Sequence, residues 1–282
     1  MVDFRKLKKP YLIAEIGINH NGDLQIAKKL IDATFACSWD CAKFQKRNPD
    51  IAVPEKQKNV MRDTPWGKMT YIDYKHKIEF GKKEYDYINK YCKEKPIDWS
   101  VSVWDMDSLE FSMQYNLSFL KIPSAMLTNH ELLAASAKSG IPILISTGMS
   151  TLKEIDESVN LLEKHSKSYA VMHCNSSYPA KLDELNLKVI MNFKERYNCV
   201  VGYSGHEYDL EPTVLAISLG AMVIERHITL SHNMWGTDQK ASLEIHAMDM
   251  LRKRMLDIDV ILGSGEKTVT VSEIPIRERL RG

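Results

Sequence analysis

Two histidines end two short apolar runs: His206 closes "YSGH" and His227 closes "IERH". Two imidazoles with no cysteine in either motif suit a divalent ion such as Mn2+, Zn2+ or Mg2+, with positions left open for water or a substrate oxygen. A pair of core histidines bonded to carbonyls would read the same way, and the residues alone leave both open. Glu225, two residues before His227, can orient a ligand or bind substrate. Lys43 in "KFQ" and Lys121 in "KIPS" stand in otherwise apolar surroundings, and two buried ammonium groups need anionic partners. Ser102, Ser124, Ser146 and Ser204 recur at comparable places. Their neutral hydroxyl donors suit phosphate and carboxylate oxygens, so a small, doubly anionic substrate is expected. Near the N-terminus, "YLIAEIGINHNG" carries an apolar run into Glu15, Asn19, His20 and Asn21. Taken alone its end is a turn, since Asn and Gly tolerate left-handed backbone.

Something must bring these groups together. Short β-rich runs at Tyr11–Ile16, Cys41–Gln45, Trp99–Val103, Phe119–Ile122, Pro142–Ser146, Tyr169–His173, Cys199–Tyr203 and Met222–Glu225 read as strands. Amphipathic stretches alternate with them: Asp23–Phe35, Lys82–Lys93, Asp105–Tyr115, Asn129–Ser139, Leu152–His165, Asp183–Arg196, Asp209–Leu219 and Ser242–Leu262. "TNHE" from Thr128 and "TLKE" from Thr151 have the capping-box form, and Gly140, Gly220 and Gly263 stand where left-handed C-caps are expected. Eight βα units predict a single-domain α/β fold, the closed (β/α)8 TIM barrel, whose sites lie at the C-terminal ends of the strands. Every predicted strand ends in polar groups, which argues for a ring around one mouth. Residues 46–80 are too long for a simple βα connection, and their aromatic content predicts an ordered excursion over the mouth. His173 and Cys174 read as barrel-interior residues; His76, His130, His165, His232 and His246 read as surface or packing residues.

The 282 residues carry a formal net charge of +1, which gives no support to a nucleic-acid or membrane-surface partner. Five scattered cysteines without a CxxC pair fit reduced thiols. The start "MVDFRKLKKP" has no apolar core of a signal peptide, and no run approaches a membrane span. A cytoplasmic enzyme of small molecules is expected, and a homo-oligomer is left open.

The motifs "AEIGINHNG", "KFQ", "KIPSA", "ISTGMS", "HCNSSYP", "GYSGH" and "VIERHITL", in this order, resemble the N-acetylneuraminate (sialic acid) synthase family, which includes legionaminate and pseudaminate synthases. The resemblance runs from about Tyr11 to about Leu262. It implies condensation of phosphoenolpyruvate with an aldose, such as N-acetylmannosamine or a 2,4-diacetamido sugar, to a 3-deoxy 2-keto sugar acid with release of phosphate. It also implies His206 and His227 as ligands of a divalent metal, Mn2+ first and Mg2+, Co2+ or Zn2+ as alternatives. Lys43, Ser102, Lys121, Ser124, Ser146, Ser176 and Ser204 would hold phosphoenolpyruvate, Glu15 would be the acid/base, and Gln45, Tyr178 and Asp238 would face the sugar. Some positions depart from the family pattern. Ser102 replaces a usual Thr, Gly205 stands where Asp is common, and "WGTD" replaces "GPD" around Asp238. Members continue into a small antifreeze-like domain that sends an Arg to the sugar across a dimer, whereas this sequence stops at "IRERLRG". Either it is barrel-only or it is cut; in the first case the Arg47–Phe80 stretch is expected to help recognise the sugar. Two other readings compete: a class I aldolase with Lys43 or Lys121 as Schiff-base nucleophile, and a non-catalytic sugar- or anion-binding barrel.

Overall fold

The inward face of each strand changes character along its length, and that change builds the site. The computed structural model describes residues 1–166 and 168–282. Its barrel strands are β1 (Tyr11–Gly17), β2 (Cys41–Lys46), β3 (Asp98–Val103), β4 (Leu120–Ile122), β5 (Ile143–Ser146), β6 (Tyr169–Cys174), β7 (Val200–Gly205) and β8 (Val223–His227). They pair in parallel and close, β8 against β1, into the expected (β/α)8 barrel. Side chains alternate with a period of two, so inward positions recur at i, i+2. Phe4, Tyr11, Ile13, Cys41, Phe119, Leu144, Met172 and Val223 form an apolar layer inside the barrel. Phe4, from a 3-10 turn at Phe4–Lys6, packs 5.8 Å from Phe119 and helps close the bottom. Two residues further along, the same face turns polar in six of the strands. Ile13 gives way to Glu15, Cys41 to Lys43, Phe119 to Lys121, Leu144 to Ser146, Met172 to Cys174 and Val223 to Glu225.

The outer layer consists of α1 (Leu24–Ala36), α2 (Lys82–Glu94), α3 (Met106–Ser112), α4 (His130–Lys138), α5 (Leu152–His165), α6 (Val189–Arg196), α7 (Glu211–Ser218) and α8 (Ile245–Leu262). Their apolar stripes bury against the outward strand residues in the main core. "TLKE" forms its capping box, with Thr151 accepting from Glu154 N–H and Glu154 reaching back to Thr151 N–H. "TNHE" does not. The cap there is Asn129, whose side chain accepts from Leu132 N–H, because the helix starts one residue later than the motif suggests. The predicted helix Asp183–Arg196 divides into a 3-10 turn, Leu182–Glu184, and α6, with Asn186 at φ 44° between them.

Between β2 and α2 the chain makes short helices at Pro49–Ala52 and Glu55–Lys58, an antiparallel hairpin of Met61–Thr64 with Gly67–Thr70, and a helix at Tyr71–Ile78. Tyr74 and Ile78 bury against Ile18, and Trp235 meets Tyr74 edge-on at 5.2 Å. These contacts lay the excursion on the loops that follow β1 and β8. Beyond α8, the final helix Ile274–Arg281 buries no residue.

Candidate active site

Strand register sets the first contacts. In the β1 ladder Glu15 lies opposite His227 on one side and Lys43 on the other. Ser102 lies opposite both Gln45 and Lys121, and Ser204 opposite both Cys174 and Glu225. The β1–β2 register shifts between Glu15 and Gly17, a bulge at the strand end of the kind that re-aims side chains beside sites. Gly17 is required there: its φ is +53°, and a Cβ would lie 3.0 Å from Gln45 Nε2. Around the top of the barrel a cavity of about 170 Å3 is lined by Glu15, Lys43, Gln45, Ser102, Lys121, Ser124, Ser146, Ser176, Tyr178, Ser204, Glu225, His206 and His227. Thus all the predicted site residues but one share it.

The exception is Asp238. It lies behind His227, its Oδ2 3.7 Å from His227 Nδ1, and does not line the cavity. The "NHNG" turn is likewise mostly structural. Asn19 donates to Ile228 O and Ser242 Oγ, Asn21 donates to Trp235 O, and His20 stacks on Phe80 at 3.9 Å. Burial and the neighbouring Arg47 push His20 down to about 3, so it is neutral packing. Of that opening stretch Glu15 alone lines the cavity. His173 and Cys174 also separate. His173 Nε2–H donates to Leu185 O at 2.6 Å, just after the 3-10 turn, and its ring packs on Phe193; Cys174 turns into the cavity. The alternation through "HCNS" carries that signal. Trp104, directly after β3, and Pro123, Ala125 and Met149 complete the lining; the last three lie within "KIPSA" and "ISTGMS" but had no role assigned from them.

The lysines already have partners, which changes the charge argument made from the sequence. Lys121 Nζ donates to both oxygens of Glu225 at 2.8 and 2.9 Å. Lys43 Nζ donates to Ser102 Oγ at 2.7 Å and lies 2.5 Å from Glu15 Oε2 and 3.5 Å from Glu225 Oε2. Two cations therefore face two carboxylates within the protein itself. The carboxylates differ in environment. Burial opposes charge on Glu225, but Lys121 and then Lys43 hold its carboxyl well below the usual range. Burial pushes Glu15 up and Glu225 adds to the rise, while Lys43 and the Gln45 amide pull it part of the way back. Glu15 is the carboxyl that can carry a proton. The Gln45 side-chain amide donates to Glu15 Oε1 at 2.8 Å and fixes its orientation.

A cluster of hydroxyls lies in the same cavity, on β5 and on the loops after β4 and β6. Ser146 Oγ is buried and has no hydrogen-bond partner among the described residues. The Gly148 N–H donates to Ser124 Oγ at 3.0 Å, and a Cβ at Gly148 would lie 2.1 Å from Ser176 Oγ, so only glycine lets these hydroxyls close in.

The imidazoles meet edge to edge. His206 Nδ1–H donates to Asn175 O at 2.6 Å, which leaves Nε2 as a lone pair; Tyr178 O–H donates to it at 2.8 Å. His227 Nε2 lies 3.5 Å from the same hydroxyl, and the ring centres are 5.4 Å apart. Burial keeps His227 neutral, down to about 3, and its Nδ1 has no hydrogen bond among the described residues. Burial also opposes charge on His206, yet Cys174 Sγ, 3.9 Å from its Nδ1, draws the imidazole up while its own thiol falls. No group of three or more His, Cys, Asp and Glu among the described residues is arranged to hold a metal ion. Two nitrogen lone pairs converging on one hydroxyl fit an ion that takes its other ligands from water and substrate.

The sequence matches the NeuB family over residues 30–267. It is 34% identical to human N-acetylneuraminate-9-phosphate synthase over 96% of this chain and 76% of the human one. It is 35% identical to the N,N'-diacetyllegionaminic acid synthase of Campylobacter jejuni over 95% of this chain and 81% of that one. Among solved structures, the N-acetylneuraminic acid synthetase of Leptospira borgpetersenii in complex with citrate superposes with a TM-score of 0.85 at 30% identity, covering 97% of this chain and 93% of that one. A family match over residues 30–267, with relatives 34% and 35% identical over nearly the whole chain, leaves one assignment: this chain belongs to the NeuB family.

Proposed function

We propose that the protein condenses phosphoenolpyruvate with an aldose to give a 3-deoxy 2-keto sugar acid of the nonulosonate class and inorganic phosphate. The observation that carries this is the convergence of Glu15, two carboxylate-paired lysines, strand-end serines and two imidazole lone pairs on one cavity, in a NeuB-family chain. Its relatives are named as synthases of sialic, legionaminic and pseudaminic acids.

His206 and His227 would hold a divalent cation, Mn2+ in first place; when bound, it supplies Lewis acidity to the aldehyde carbonyl. Ser102, Ser124, Ser146, Ser176 and Ser204 would bind the phosphate and carboxylate of phosphoenolpyruvate, with the spare donors of Lys43 and Lys121. Because these ammoniums remain bonded to Glu15 and Glu225, the donors are preorganised rather than recruited from solvent. C3 of phosphoenolpyruvate forms a bond to the aldehyde carbon, and the aldehyde oxygen takes a proton from the Glu15 carboxyl. Glu15, now a carboxylate, accepts a proton from the water that adds at C2. The C2–O bond to phosphate then breaks as the C2 hydroxyl proton passes to the departing phosphate, giving the 2-keto group and inorganic phosphate. Tyr178 and Gln45 face the sugar side, and Asp238 lies behind the His227 ring.

Phosphate release measured with phosphoenolpyruvate, Mn2+ and a panel of aldoses, N-acetylmannosamine included, tests the reading. Metal- and aldose-dependent release is expected. A chelator-insensitive enzyme trapped covalently at Lys43 or Lys121 by borohydride and pyruvate would replace it with the aldolase.

A further inference from the structure

Behind the two imidazoles, on the outer side of the barrel wall, lies a charged pair that the mechanism does not use. Strand alternation turns Glu225 and His227 inward and Arg226, between them, outward. Arg226 is fully buried there, against the loop that joins β7 to α7. Its Nη1 lies 3.0 Å from Glu207 Oε1 and donates to Thr213 Oγ1 at 2.8 Å and to Asp209 O at 3.2 Å, and its Nη2 donates to Glu207 O. Glu207, also buried, accepts from the Tyr203 hydroxyl at 2.8 Å and from Thr213 Oγ1 at 3.1 Å.

A guanidinium keeps its charge in any surroundings, so a buried one depends on a carboxylate. Among the described residues Glu207 is the only carboxylate within ion-pair distance of Arg226. The two partners are chain neighbours of the two cavity histidines: Glu207 follows His206 and Arg226 precedes His227. One ion pair therefore ties together the backbones that carry the imidazoles. Its hydrogen bonds to Glu207 O and Asp209 O also fix the loop directly after His206.

Position 205 controls whether Glu207 can reach. Gly205 lies directly opposite Arg226 in the β7–β8 ladder. Its backbone is not left-handed, so nothing in the main chain calls for glycine. The space calls for it: a Cβ there would lie 2.7 and 2.8 Å from the two carboxylate oxygens of Glu207 and 2.8 Å from Tyr203 Cε1. The Glu207 carboxylate folds back into the place that a side chain at 205 would fill, beside the same guanidinium.

We propose that Gly205 and Glu207 act as a unit that gives Arg226 its carboxylate, and that the resulting ion pair is a positioning element that sets the spacing of His206 and His227. An aspartate at 205 would bring a carboxylate to the same guanidinium by a shorter route, but only once Glu207 vacates the space. The role of the spacing rests on the metal-dependent synthase reading; the exchange of one carboxylate for the other does not.

Two readouts on the full chain keep these apart: the urea midpoint of chelator-treated protein, and Mn2+ affinity by electron paramagnetic resonance. Glu207→Ala should lower the midpoint and weaken Mn2+ binding at least about tenfold, the scale on which groups that orient metal ligands act. Adding Gly205→Asp to Glu207→Ala should raise the midpoint again and restore most of the Mn2+ affinity. Gly205→Asp alone should lower the midpoint, because two carboxylates then compete for one space. That reversal of sign between backgrounds is a signature that simple loss of packing does not produce. Wild-type Mn2+ affinity in Glu207→Ala, or no gain from Gly205→Asp in that background, would overturn the proposal. Should Glu207→Ala not fold, a double variant that folds and binds Mn2+ would support it, and one that does neither would overturn it. A wild type that takes up no Mn2+ would remove the metal reading and with it the spacing role; the reversal of sign in the midpoint would then still support the carboxylate exchange, and its absence would overturn that too.

Discussion

Buried lysines occur in two regions of this molecule under opposite conditions. At the barrel mouth Lys43 and Lys121 are each about 2% exposed at the side chain and lie against Glu15 and Glu225. In the excursion Lys75 is nearly as buried but lies against arginines and tyrosine rings. A buried ion pair resists loss of one member because the other is then stranded, whereas a buried unpaired charge is itself the cost. The first arrangement pairs its charges within the protein; in the second the ammonium rests on aromatic rings with no ion pair among the described residues.

Breaking the pair at the mouth should have the largest effect. Lys121→Met leaves Glu225 facing Lys43 alone and should cost about 3–5 kcal/mol in denaturant unfolding. Glu15→Gln should fold and lose about 10²-fold in kcat, the usual scale of acid–base contributions. Its stability should also show the raised pKa. The wild-type Glu15 contribution is complete below the ordinary glutamate range and is lost as pH rises through the raised value, so the variant gains on wild type as pH rises. Glu225→Gln should show the opposite sign. The pairing of Glu225 stabilises above the ordinary carboxylate range and is lost only as pH falls towards its lowered value. Far from both regions, Thr151→Ala removes a helix cap and should cost about 1 kcal/mol, read as a small fall in Tm. Lys75→Met should change stability least, within about 0.5 kcal/mol or in the stabilising direction. A loss as large as that of Lys121→Met would show that Lys75 has a partner inside the protein.

The same contrast explains what could be read from the sequence. Strand-end residues were legible because parallel pairing and a period of two put Glu15, Lys43, Lys121 and Glu225 on one inward face whatever the loops do. The family motifs then added Ser176 and Tyr178, which lie beyond strand ends. Asn19, His20 and Asn21 form the turn that their residue types suggest: a polar strand end can turn outward to tie loops, as these do to Ile228, Phe80 and Trp235. Cys174 and Trp104 were missed because thiols and indoles are ordinary core residues until their direction is known. The pairing of the lysines with the protein's own carboxylates was not legible, since Glu15 and Lys43 are far apart in sequence and their distance is set by the barrel register. Lys75 was hidden by composition. In "TYIDYKHKIEF" it is one of three basic residues on a short helix, and only packing against Ile18 and Trp235 shows which face is buried.

The account stands on two imidazoles acting together on one ion. Manganese binding followed by electron paramagnetic resonance, in wild type, His206→Ala and His227→Ala, tests that without reference to turnover. One ion per chain in wild type, weakened at least about 10²-fold by either substitution, is the predicted result. Binding unchanged by the loss of either ring would contradict it.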